Sequence, residues 1–145
     1  MKKMHSFSHV LILVLVFIAA GCSKKDNIPE SNPTYPFSGD WTIIVNGGGI
    51  DYGPYFMKIY NTSYGKDSVW IDDNKTLWQT KSKVKVNMTN LTFSGDNTQN
   101  VYYNCLVSYK NGKIVGKDSI YFEVTFSDDP DNLTWVYSGH RKRSD

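Results

Sequence analysis

Hydrolytic chemistry needs a nucleophile, a base and a group to hold the oxyanion, and this chain offers few candidates for any of them. Its three histidines are His5, His9 and His140, and the first two fall in an amino-terminal segment that reads as a removable signal. His140 is then the one base left, with Ser138 two residues before it. Cys105 lies in "VYYNCLVSY", where alternation places it beside Tyr103 and Val107 on a buried face. A cysteine in such a place behaves as a small hydrophobe and not as a thiolate. No G-x-S-x-G elbow occurs in the chain. Carboxylates gather in "FSDDPDN" (Asp128, Asp129, Asp131) and at Asp72 and Asp73. Oxygen ligands of this kind suit calcium, but the spacing fits no EF-hand loop, and one histidine with one available cysteine makes a poor zinc set. The reading is therefore of no catalytic centre, no metal and no cofactor.

Aromatic side chains are the stronger signal. Four tryptophans (Trp41, Trp70, Trp78, Trp135) and ten tyrosines exceed what a small core needs. Strand propensity accounts for them in one way, and a binding mouth lined by rings that join apolar area to a polar tip accounts for them in another.

The elements that would position these rings are strands. No stretch after the signal shows apolar residues at helical spacing, while period-two alternation recurs. In "KSKVKVNM" Val84, Val86 and Met88 share one face and Lys83, Lys85 and Asn87 the other. "SIYFEVTF" puts Ile120, Phe122, Val124 and Phe126 together, and "LTWVYSG" does the same for Trp135, Tyr137 and Gly139. Turn chemistry separates the runs: "NGGGIDYGP", "NTSYGKD", "DDNKT", "SGDNTQ", and "KNGK", whose Asn111-Gly112 suits a type I′ hairpin. Strands are predicted near 41–46, 55–60, 67–72, 79–88, 91–95, 100–109, 113–126 and 133–140, with Gly116 as a bulge inside the seventh. Short connections imply an antiparallel up-and-down meander. Closing it into a barrel of about eight strands removes both edges, and a two-sheet β-sandwich is the alternative. The inward parity then offers Tyr103, Phe122, Trp135 and Tyr137 as ligand-binding residues. A filled interior would favour a non-catalytic interaction or carbohydrate-binding module instead.

The amino terminus carries an address. Lys2 and Lys3 precede an apolar run from Val10 to Ala20, 11 residues long and too short to span a bilayer, so residues 1–21 read as a signal peptide. The run ends in "AAGC", which resembles the cleavage site of a bacterial lipoprotein and makes Cys22 the lipidated first residue. Residues 22–36, with three of the five prolines, read as an extended spacer, and 37–145 as a single domain. Without Lys2 and Lys3 the 16 basic residues fall to 14 against 14 acidic, so no basic footprint for nucleic acid is present. With Cys22 lipidated, Cys105 has no intramolecular disulfide partner.

"GDW" at 39–41 entering the first strand, with "RKR" beyond the last, is similar to the lipocalin pattern. That resemblance implies that Trp41 plugs the closed end of the barrel and that Arg141, on the inward parity of β-face Trp135 and Tyr137, packs across its indole. "IYNTS", "DSVWIDD", "KIVGKDSIYF", "DDPDN" and "VYSGHRKR" together resemble small Bacteroidetes lipoproteins classed as lipid-binding putative hydrolases. The resemblance covers most of the mature chain. It implies a lipocalin-like barrel that binds a small hydrophobic or amphiphilic ligand such as a lipid, with "NGGGIDYGP" as a lid. An esterase relying on His140 is a further alternative. Ser23 after the cysteine implies the outer membrane, and "SKKD" lacks the acidic run of the surface-export signal, so the facing side stays open between periplasm and exterior. "GKDSVW" and "GKDSIY" recur 51 residues apart. Both are similar to the Asp-Ser-aliphatic pattern of O-glycosylation in such bacteria, which makes Ser68 and Ser119 candidates.

Overall fold

The computed structural model describes residues 34–63 and 66–142. The expected signal peptide, Cys22 and most of the spacer lie outside the described residues. Period-two alternation is realised as eight strands: β1 (Gly39–Gly47), β2 (Ile50–Asn61), β3 (Ser68–Asp72), β4 (Lys81–Asn87), β5 (Thr92–Gln99), β6 (Leu106–Val115), β7 (Ser119–Phe126) and β8 (Trp135–Arg141). Each pairs antiparallel with its neighbour in sequence, and β8 returns to pair with β1, Trp41 opposite Arg141 and Val45 opposite Tyr137. The sheet is a closed up-and-down barrel, not a sandwich. Closure gives every strand two partners and leaves no edge to template aggregation.

Alternating strand direction sorts the connections. The β2–β3, β4–β5 and β6–β7 connections share one end with the turn at 34–37, the start of β1 and the end of β8. Loops 73–80, 100–105 and 127–134, and the β1–β2 turn, share the other. Inward residues of every strand fill the space between. Ile43, Val45, Ile59, Val69, Val84, Val107, Phe122 and Val124 are all at most 2% exposed, each contributing about 1.5–3 kcal/mol of burial. An eight-stranded barrel is just wide enough to be filled this way. A space of only about 10 Å³ remains inside it.

Several turns fall elsewhere than expected. "NGGGIDYGP" is not a loop: Gly47 pairs with Ile50 across Gly48 and Gly49, whose φ of 60° and 83° give a two-residue turn. Positive φ at both central residues is the hairpin geometry that matches strand twist, so β2 begins at Ile50 and the expected lid is strand. Asn111-Gly112 and Gly116 exchange roles. Asn111 does take positive φ (53°), but inside β6, where the β6–β7 register slips between Lys110 and Lys113. Gly116 (φ 64°) opens the actual turn, with Val115 paired to Ser119. A β-bulge and a hairpin both require left-handed backbone, which is why the two signals are interchangeable in sequence. Residues 100–105, expected as strand, form a loop pinned by Asn100. Its Oδ1 accepts from the backbone N–H of Lys81 (3.0 Å) and of Tyr102 (3.1 Å), and its Nδ2 donates to the Gln79 carbonyl (3.1 Å).

Candidate functional site

The two ends of the barrel differ in chemistry. At the first, Trp41 is fully buried and its Nε1 donates to the Phe37 carbonyl at 3.1 Å. Arg141, its cross-strand neighbour, holds its Cζ 4.4 Å from the indole centroid. The guanidinium also donates through Nη2 to the Pro36 carbonyl at 2.9 Å, and through Nη1 to that of Ser38. Gly39 lies directly under this guanidinium, and a Cβ there would collide with it. Phe37 seals the floor edge-on to Phe93 at 6.0 Å. This end is plugged by a stacked cation and closed to ligands.

The opposite end opens into a cleft of about 420 Å³ between loops 73–80, 100–105 and 127–134. Trp78, Phe126, Leu133 and Trp135 give it apolar walls, with Tyr103 and Cys105 on one side. The rings form a connected set. Trp78 packs on Trp135 at 4.3 Å between centroids, on Phe126 at 5.6 Å and on Tyr137 at 6.3 Å, contacts that stabilise by about 0.5–1.5 kcal/mol each beyond area burial. Asp129 fixes one wall: its Oδ2 accepts from Trp135 Nε1 at 3.1 Å and its Oδ1 from the Asp131 N–H at 3.0 Å. Asp73 fixes the other, accepting from the Trp78 N–H at 2.9 Å and the Lys75 N–H at 2.8 Å. Burial pushes the Asp73 carboxyl above its ordinary range, against those backbone donors.

Below Trp78 the filled interior turns polar. The small residual space is bounded by Asp73, Thr80, Tyr109 and Tyr137 among apolar neighbours. The hydroxyls of Thr80, Ser82 and Tyr109 are buried there without a hydrogen-bond partner among the described residues. Burial raises both tyrosine phenols, Tyr109 and Tyr137, so both are neutral throughout the physiological range. The Ser82 hydroxyl lies beside that of Tyr109 and favours its phenolate, but the pair closes no bond of good geometry.

The sequence-derived residues are distributed as follows. Trp135 and Tyr103 line the cleft, Tyr103 from a loop and 58% exposed. Phe122 and Tyr137 stack at 4.7 Å inside the core. Trp41 and Arg141 are at the far end. Ser138 and His140 are exposed on the outer face of β8, away from the cleft. Cys105 is 6% exposed, and burial raises its thiol, with Asn100 Nδ2 at 3.6 Å from Sγ. Ser68 is buried with its Oγ 3.0 Å from Thr62 Oγ1, and Ser119 is half-buried. Trp78, Phe126 and Leu133 were not among the residues expected to bind. Trp78 had a signal, a lone large aromatic in the polar loop "DDNKTLWQT".

Two other surfaces merit comparison. A groove of about 760 Å³ on the outer wall is walled largely by Lys85, Asn87, Ser94, Asn111 and Lys113, and it is polar where the cleft is apolar. On the outside of β2–β4 the Lys81 ammonium lies 5.4–5.8 Å from the rings of Tyr60, Trp70 and Tyr102 and 3.8 Å from Asp72 Oδ2. Both tyrosine hydroxyls donate to that carboxylate.

A comparison with curated proteins finds no match. A protein-family model described as "lipid-binding putative hydrolase" matches residues 26–144, which takes in all eight strands, the plugged end and the cleft, and the chain belongs to that family.

Proposed function

We propose that the protein is an envelope-anchored lipoprotein whose barrel binds a small hydrophobic or amphiphilic ligand, a lipid in the first instance, in the aromatic cleft at its loop-rich end. One observation carries this reading: a space of about 420 Å³ walled by Trp78, Phe126, Leu133 and Trp135, in the size range of small-molecule sites. Family membership supports the ligand class. The filled interior by itself favours an interaction or carbohydrate-binding module; the apolar cleft and the family's lipid-binding description favour a lipid, the bulk of which lies across the mouth. Anchoring through Cys22 rests on the "AAGC" sequence and would tether the barrel by its plugged end, where residues 34–37 lead into β1, outer-membrane attachment following from Ser23. Binding is the function the residues favour over hydrolysis: His140 lies on the outer wall and the Cys105 thiol is held protonated.

The test is denaturing extraction of the purified protein followed by lipid mass spectrometry, with Trp135→Ala in parallel. Lipid recovered in stoichiometric amount from the native protein and depleted in the variant supports the reading. A protein free of extractable lipid that also binds no apolar fluorophore would end it. A second reading, a glycan-binding wall, draws on Tyr60, Trp70 and Tyr102, but Lys81 sits over all three rings. Retention on a glycan array that disappears in Trp70→Ala would favour it.

A further inference from the structure

Buried hydroxyls without partners are rare, because leaving one unmade forfeits its hydration with nothing in return. Here three converge. Thr80, Ser82 and Tyr109 are 6%, 0% and 2% exposed, and each hydroxyl is unpartnered among the described residues. Thr80 and Tyr109 border the residual interior space, and Ser82 adjoins the Tyr109 hydroxyl. That space, about 10 Å³, is the size that accommodates a single oxygen-sized group.

Its position ties it to the cleft. Trp78 stands between them: it walls the cleft, packs on Tyr137, which borders the inner space, and is tethered through its backbone N–H to Asp73, which borders it too. The charged residues that line the two spaces, among the described residues, are all aspartates. Asp73 and Asp72 act on Tyr109 electrostatically, whereas the Lys81 ammonium is directed outward over Tyr60, Trp70 and Tyr102. Asp128, Asp129 and Asp131 lie along the cleft itself. An anionic head would meet these carboxylates with no cation lining either space among the described residues, while a neutral hydroxyl can both donate to and accept from hydroxyls and an ester oxygen can accept from them.

Taking the cleft as the lipid site, we propose that Thr80, Ser82 and Tyr109 form its polar terminus and bind the neutral head of the ligand, a hydroxyl or ester oxygen, with the alkyl chain leaving past a displaced Trp78 along Trp135, Phe126 and Leu133. The ligand class is thus a neutral alcohol- or ester-headed lipid and not a fatty-acid anion. Ser82→Ala and Tyr109→Phe remove the hydroxyls while keeping side-chain shape, and neither breaks a bond within the protein.

After removal of co-purifying lipid, titration calorimetry with 1-decanol and with decanoate at neutral pH tests the assignment. Decanol is expected to bind at least tenfold more tightly than decanoate. Each substitution is expected to weaken decanol about three- to tenfold, the worth of one neutral hydrogen bond, and to leave decanoate unchanged. If both amphiphiles bind, lose affinity in Trp135→Ala, but are indifferent to Ser82→Ala and Tyr109→Phe, the polar terminus is wrong and the cleft stands. If neither binds at all, the cleft reading falls and this assignment with it.

Discussion

Arg141 joins more of the structure than any other single side chain at the plugged end. It covers the Trp41 indole at 4.4 Å and ties the carbonyls of Pro36 and Ser38 to the end of β8. Arg141→Ala would uncover the indole and orphan both carbonyls, lowering stability by about 2–4 kcal/mol. Arg141→Lys would recover less than half of that, because an ammonium lacks the planar fork that reaches two acceptors while stacking. Urea unfolding of the three proteins measures both. Asp73 gives a second prediction, in pH. Its carboxyl is raised by burial, so the folded state binds the proton more tightly than the unfolded chain. The stability from this difference is full below about pH 4 and is lost as pH rises through the folded-state value. Asp73→Asn keeps an acceptor for Lys75 but loses one of the two carboxylate oxygens, costing about 1 kcal/mol. That deficit should be largest near pH 4 and shrink toward pH 7 in thermal melts, and a pH-independent deficit would contradict the shift. Arg141 could be singled out because the resemblance to the lipocalin pattern implies a late cation across Trp41 and strand parity fixes which residue shares the inward face. Trp78 could not be assigned to the cleft, since its place depends on a loop fold set by the Asp73 carboxylate and the Thr80 carbonyl, and loops have no periodicity to read.

At the scale of elements, β6 carries the most instructive departure. Its Asn111-Gly112 pair has the composition of a hairpin turn but forms a bulge between β5 and β7, because the strand must pass the buried Phe93. A Cβ on Gly112 would stand 2.6 Å from the Phe93 ring and equally close to the Phe93 carbonyl oxygen. Gly116 meets nothing within 4 Å, and only its φ of 64° resists a side chain. Gly112→Ala is therefore expected to destabilise by about 3 kcal/mol through overpacking, and Gly116→Ala by about 1 kcal/mol through left-handed strain. Denaturant midpoints of the two variants give the ranking, and the reverse order would mean that the true turn lies at Gly112. Met88 and Tyr103, expected on inward faces, lie exposed beyond the ends of β4 and β5. Strand number and order were legible, as were the inward faces of β7 and β8, because alternation is a property of each strand alone. The exchange of bulge and turn was not, because both use the same backbone region and only the partner strand distinguishes them.

The whole molecule is a barrel whose tyrosines resist ionisation together. Burial raises the phenols of Tyr109 and Tyr137 most strongly, and Tyr60 and Tyr102 are also raised, by desolvation and then by the Asp72 carboxylate they share. Tyr121 is raised chiefly by its hydrogen bond to Glu123. Five groups with folded-state values above the ordinary phenol value of 10.0 all act in one direction. The unfolded chain releases their protons first, so stability is full below about pH 10 and declines as pH rises beyond it. Because Tyr109 and Tyr137 sit between the plugged floor and the cleft, ionising either requires opening the barrel. Alkaline titration should therefore show a late class of phenolate absorbance that appears only as the sheet signal in circular dichroism is lost. Tyr109→Phe would remove one phenol from the late class and move the alkaline transition upward. Coincidence of the late absorbance with unfolding ties the polar interior below the cleft to the integrity of the closed sheet, and a late class that titrates while the barrel stays folded would show that water already reaches those two phenols.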